Sequence, residues 1–212
     1  MKISRMPTAA VLGVTSGALS FLTIKYYPDV FTLASIVPGA EKGMSLVPGV
    51  IFGVAVALSM VVTGAAGRLP ALAGTVLIVL AAWGAAYHAS VLVVPTVEKL
   101  VPAALEKGNR DLLTMTLAMN VGNLIGGIAT MVAAGLAAGR RVPGSTVLLA
   151  LIAGSLSVFA ALYGARDSKD GENLAILFIL WQTAMLSVVH ASFMRLDDEA
   201  ARAARGGRPA RP

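Results

Sequence analysis

Few side chains in this chain could do chemistry, and two of them sit in similar surroundings. His88 and His190 are the only histidines, and each precedes Ala-Ser in an apolar run, "AAYHASVL" and "SVVHASFM". An imidazole near its ordinary pKa titrates in the physiological range, so both are candidates for a proton-linked step. The second group is uncharged. Thr116, Asn120, Asn123, Gly127 and Thr130 follow at alternating spacings of four and three, which puts them on one face of a helix. Ser16, Ser20 and Thr23 repeat that spacing, as do Thr183, Ser187 and His190, with Trp181 and Gln182 alongside. Amide and hydroxyl oxygens gathered this way suit a neutral, zwitterionic or weakly cationic solute. The expected substrate-binding set is Asn120, Asn123, Thr116, Gln182, Ser20 and Trp181.

The same residues have a plainer use. Small and polar side chains hold membrane helices together, and Gly-x-x-x-Gly lets two backbones approach closely. The spacing occurs at Gly13 and Gly17 and again at Gly122 and Gly126.

Other chemistries find no support. No Asp, Glu, Lys or Arg falls inside a long apolar run, so a carboxylate-based proton relay and paired-carboxylate catalysis have no residues to use. Neither a zinc-type His-Glu spacing nor a phosphate-cradling glycine loop is present. The serines lack a neighbouring histidine and acid, and the absence of cysteine removes thiolate sites and disulfides. The expectation is a protein that is not an enzyme and carries neither cofactor nor metal.

The elements that position these residues follow from charge segregation. Only 13% of residues are charged, against about 25% in an ordinary soluble domain. Uncharged stretches cover 6–24, 43–67, 69–97, 112–139, 142–165 and 173–194. A helix needs about 20 residues to cross the hydrocarbon core, so the sequence predicts an all-α, polytopic protein with six transmembrane helices. The helices are expected at Pro7–Ile24, Ser45–Gly67, Ala71–Val94, Leu112–Ala138, Ser145–Gly164 and Asn173–Met194, with Pro95 stopping the third. Polar interruptions at Thr15 and Ser16 favour a retained first helix over a cleaved leader.

With the N-terminus inside, the inner segments hold ten basic and three acidic residues, and the outer loops seven basic and eight acidic ones. This fits the positive-inside rule with both termini cytoplasmic, and it accounts for the net charge of +6 without nucleic acid. The loop 28–43 is expected at the interface. Residues 96–111 read as a short amphipathic surface stretch.

The transmembrane domain is expected over 1–195, with a basic, disordered cytoplasmic tail over 196–212. His88 and His190 are each the eighteenth residue of their helices, which run in opposite directions. They therefore fall on the order of 20 Å apart in depth and cannot ligate one metal or haem together. Opposite depths are also what an inverted repeat gives, here 7–95 and 112–194, a common transporter plan. The leading expectation is an inner-membrane permease, exporter or solute-binding transporter subunit, with its cavity between the first, fourth and sixth helices. Its partners would be the lipid bilayer, a small-molecule solute and a second copy or membrane subunit. The alternatives are an accessory subunit of a larger membrane complex and a haem- or quinone-binding oxidoreductase subunit.

Overall fold

The computed structural model describes residues 6–35, 45–65, 69–164 and 172–206. Among the described residues there is no strand, and six α-helices carry the fold. They are α1 (Met6–Tyr26), α2 (Val47–Thr63), α3 (Leu69–Leu100), α4 (Lys107–Ala138), α5 (Gly144–Gly164) and α6 (Glu172–Gly206). Five are long and apolar enough to cross a membrane, while α2 is equally apolar but has only 17 residues. The chain is thus a multi-pass membrane protein. Helices satisfy their own amides, and lipid leaves the backbone little other choice.

The helices form a closed ring in chain order, each packed against its predecessor and its successor, with α6 returning to α1. In addition α2, α4 and α6 touch one another, so the even-numbered helices meet in the middle. Individual contacts fix their directions. Phe52 faces Trp181 and Ser59 faces His190, so α2 and α6 run the same way. Gly126 lies against Trp181 and Gly127 near Met185, so α4 runs with them. Gly13 lies against Thr183 and Gly17 against Ile179, so α1 runs opposite to α6. Arg140, Arg141 and Arg195 consequently share one end of the bundle with the start of α1.

A three-plus-three repeat would equate α1 with α4, α2 with α5 and α3 with α6. Each pairing would match an outer helix to an inner one, so the packing does not display the mirrored halves.

Several boundaries differ from the sequence expectation, each for a physical reason. The second helix stops at Thr63 because Gly64 takes a left-handed conformation, φ 73°, and caps it. Pro95 does not end α3, which continues to Leu100. There the helix is held by its hairpin with α4: Val97 and Val101 are buried, and Arg110 donates to the Glu98 carbonyl at 3.2 Å. The stretch 96–111 is therefore the tip of this hairpin. Helix α6 runs on past Met194 to Gly206, through a segment rich in Ala and Arg, both strong helix formers. The loop 28–43 is described only to Ser35, and residues 207–212 of the expected tail lie outside the described residues.

Candidate functional site

The site begins with the place where α2 starts. Its second residue is Pro48, which has no amide hydrogen to satisfy. The other first-turn donors all find acceptors. Leu46 N donates to the Phe31 carbonyl at 2.8 Å and Val47 N to Ser45 Oγ at 3.3 Å. Gly49 N and Val50 N both donate to the Leu46 carbonyl. Ser45 in turn donates its hydroxyl to the Val30 carbonyl at 2.7 Å and accepts Trp83 Nε1 on its own carbonyl at 3.1 Å. Phe31 reaches this clamp from a left-handed backbone, φ 53°. A helix start leaves four orphan amides, and here none is left exposed to an apolar interior. Helix α2 can therefore begin inside the bundle.

Its starting level is set by Gly49, which sits against Leu80 and Trp83 of α3. Beyond that level α3 continues to Leu100 and α4 reaches back to Lys107, but α2 no longer fills the space between them and α6. A cavity of about 340 Å³ remains. Its walls are helical stripes. Val79, Ala82, Ala86, Ser90 and Val94 line it from α3, Met115, Ala118, Gly122 and Gly126 from α4, and Leu174, Phe178 and Trp181 from α6. Spacings of three and four put each set on one face of its helix. Phe52, 5.1 Å from the Trp181 ring, closes the lower end. The rings of Trp83 and Phe178, 5.4 Å apart, bridge α3 to α6. Val91 is 51% and Met115 43% exposed, so the cavity reaches the bundle's surface near its upper end.

The polar groups in this wall are turned away from the space. Asn123 donates to the Leu151 carbonyl at 3.1 Å and to Ser155 Oγ at 3.2 Å, and accepts Trp181 Nε1 at 2.8 Å. Gly154 leaves the room for it, since a Cβ there would collide with the Asn123 amide. Ser90 donates to the Ala86 carbonyl at 2.9 Å and Thr130 to the Gly126 carbonyl at 2.7 Å. Such back-bonding is the usual way a hydroxyl is satisfied within a helix. What faces the space is carbon.

The residues expected to form one polar site are divided among three places. Ser20 and Gln182, both fully buried, pair across the α1–α6 interface, with Gln182 Nε2 donating to Ser20 Oγ at 2.9 Å. There Gly13 and Gly17 bring the two backbones together: a side chain at either would run into the backbone at Thr183 or Ile179. Trp181 and Asn123 tie α6, α4 and α5 together and also line the cavity. Thr116 and Asn120 bond along α4, Asn120 Nδ2 donating to the Thr116 carbonyl at 2.8 Å and Thr116 Oγ1 to the Leu112 carbonyl at 2.8 Å. Helix α1 packs on α2 and α6, so it does not join α4 around a common space. The reason is local: Trp181 and Gln182, adjacent on α6, point about 100° apart and serve different neighbours. Asn120 Oδ1, Gln182 Oε1 and Thr183 Oγ1 are buried without a hydrogen-bond partner among the described residues.

The histidines stand apart. His190 is fully buried beside Ser59, with Nδ1 and Oγ 3.4 Å apart, near the C-terminal end of α2. His88, half-buried, stacks edge-on against Tyr87 at 5.5 Å in the upper part of α3. Among the described residues no group of three His, Asp or Glu stands close enough to hold a metal ion. Apart from Asn123 and Trp181, the cavity lining is not legible in the sequence, because an apolar stripe facing empty space reads the same as one facing lipid. The one available signal was the crowding of Ala and Gly on the inner faces of α3 and α4. Compared with known proteins, the chain matches no family, no curated protein and no solved structure.

Proposed function

We propose that this chain is a transport protein, a permease, exporter or binding subunit, for a small and largely apolar membrane-borne molecule held between α3, α4 and α6. The observation that carries this reading is the cavity wall, in which Asn123, Ser90, Thr130, Trp83 and Trp181 all direct their hydrogen bonds into the protein. A polar or zwitterionic solute would have to give up its water for a surface of carbon, and an unpaired polar group buried that way costs about 1–3 kcal/mol. An apolar molecule gains from the same surface. Ligand pockets are commonly about 300–1,000 Å³ and mostly apolar, and the cavity of about 340 Å³ fits the lower end of that range. In this reading α2 completes a sixth crossing, the end bearing Arg140, Arg141 and Arg195 faces the cytoplasm, and the membrane is the inner one.

The test is identification of apolar molecules retained by the purified full chain, by mass spectrometry, together with transport in reconstituted vesicles. Ala86→Leu, which fills the cavity, is expected to strip the retained molecule and stop its movement. A chain that retains nothing and is indifferent to this substitution would instead be an accessory subunit.

A further inference from the structure

We infer that the cavity is a slot for one linear hydrocarbon chain, an acyl or prenyl tail that enters from the leaflet opposite the Arg140 and Arg141 end. This rests on the reading above and narrows it to a substrate class. Length is the first argument. The lining runs from Val79 to Val94 on α3 and from Met115 to Thr130 on α4, about 22 Å along each at the rise of an α-helix. One leaflet with its headgroups is half of about 40–45 Å. The lined faces therefore run through about one leaflet, from its interface inward.

Shape is the second argument. A volume of about 340 Å³ drawn out along stripes about 22 Å long makes an elongated space, whose shape a single extended hydrocarbon chain follows. The ends are the third. Phe52 and Trp181 shut the lower end with apposed rings. The upper end includes the exposed Val91 and Met115, so a tail can slide in while its polar head stays at the interface. A compact ring system of equal volume needs a short, wide chamber and gains little from a long, narrow one.

Both tryptophans of the chain, Trp83 and Trp181, line the slot, Trp83 one turn along α3 from Val79. They make intrinsic fluorescence a probe of occupancy. The experiment places the full chain in nanodiscs of two-chain phosphocholine and adds long-chain fatty acids brominated either near the methyl end or beside the carboxyl group. Methyl-end bromines are expected to quench most of the emission saturably, and carboxyl-end bromines to quench little. Ala86→Leu should raise the half-quenching concentration about tenfold, equivalent to about 1.4 kcal/mol. Leu148→Phe, on the exposed face of α5, should leave it unchanged.

Equal quenching by brominated two-chain phosphocholine would overturn the single-chain inference. Saturable quenching by a compact bromoarene and not by the fatty acids would overturn it as well, while leaving the transport reading standing. If none of these probes quenches saturably, both readings fall.

Discussion

The same three helices, α3, α4 and α6, enclose a solid region at one end of the bundle and a hollow one at the other. In the solid half, Phe52, Val56 and Met60 of α2 pack with Met131, Met185, Val189 and Phe193 into one buried cluster. In the hollow half, the continuing stripes of α3, α4 and α6 face a space. The walls hardly change in composition between the two; what changes is whether α2 is present. The contrast teaches that a cavity in a helix bundle can be made without shaping its walls, by starting one helix late. It also shows why a short helix is tolerated here, since the clamp at Phe31, Ser45 and Leu46 satisfies the amides that an internal helix start would otherwise strand.

The contrast can be broken most severely in the packed half. Phe193→Ala should destabilise by about 3–5 kcal/mol, because a buried ring leaves a void its neighbours cannot close. Leu177→Ala, in the slot wall, should cost well under half of that because it already faces space. Reversible denaturation in detergent, followed by helical circular dichroism, measures both. Equal losses would mean that the slot closes up in solution.

Glycines give the next largest difference, on a single helix pair. A Cβ at Gly53 would press on Val76 of the α3 backbone at 2.9 Å, whereas at Gly84 it would meet only a Leu46 methyl at 3.4 Å. Gly53→Ala is expected to cost about 1–3 kcal/mol by overpacking. Gly84→Ala should gain up to about 1 kcal/mol from helix propensity. Thermal unfolding midpoints should therefore move in opposite directions.

Asn123→Ala tests whether the polar stripe is a strut or a solute site. Hydrogen bonds between membrane helices are worth about 0.6 kcal/mol on average and about 1.7 at most, so a loss of about 1–2 kcal/mol is expected with tail binding retained. A shift in Trp181 emission should accompany it, because the indole loses its acceptor. Abolished binding in a protein of unchanged stability would return Asn123 to the role of a ligand-binding residue. The smallest effect on stability is expected of Leu148→Phe, within about 0.5 kcal/mol, because its side chain lies on the exposed face of α5.

These differences also mark how far the sequence could be read. The helices were legible because charges are excluded from long runs, and α1 and α5 fall within two residues of their expected ends. The early end of α2 was not legible, because Gly64 can extend a membrane helix or cap it, and the left-handed φ that decides is a tertiary outcome. Pro95 misled in the opposite sense, since its local penalty was outweighed by burial of Val97 and Val101 in the hairpin. At the site, the inward turn of Asn123, Gln182 and Ser20 was legible, because amides and hydroxyls are costly facing lipid. Their partners were not. Asn123 found Leu151, Ser155 and Trp181, and Ser20 found the Gln182 amide, while Gln182 Oε1 is buried in the α1–α6 interface and not in the cavity wall. The space itself was invisible, because nothing in the stripes of α3 and α4 records what fails to pack against them.

The hydrogen bonds that tie Val30 and Phe31 to Ser45 and Leu46 act as a depth stop. Adding one helical turn ahead of Val47 would raise the floor of the recess, and removing one would sink it, with no wall residue altered. On the transport reading proposed above, such a protein would be retuned from long cargo to short by moving the start of α2 rather than by altering its binding surface.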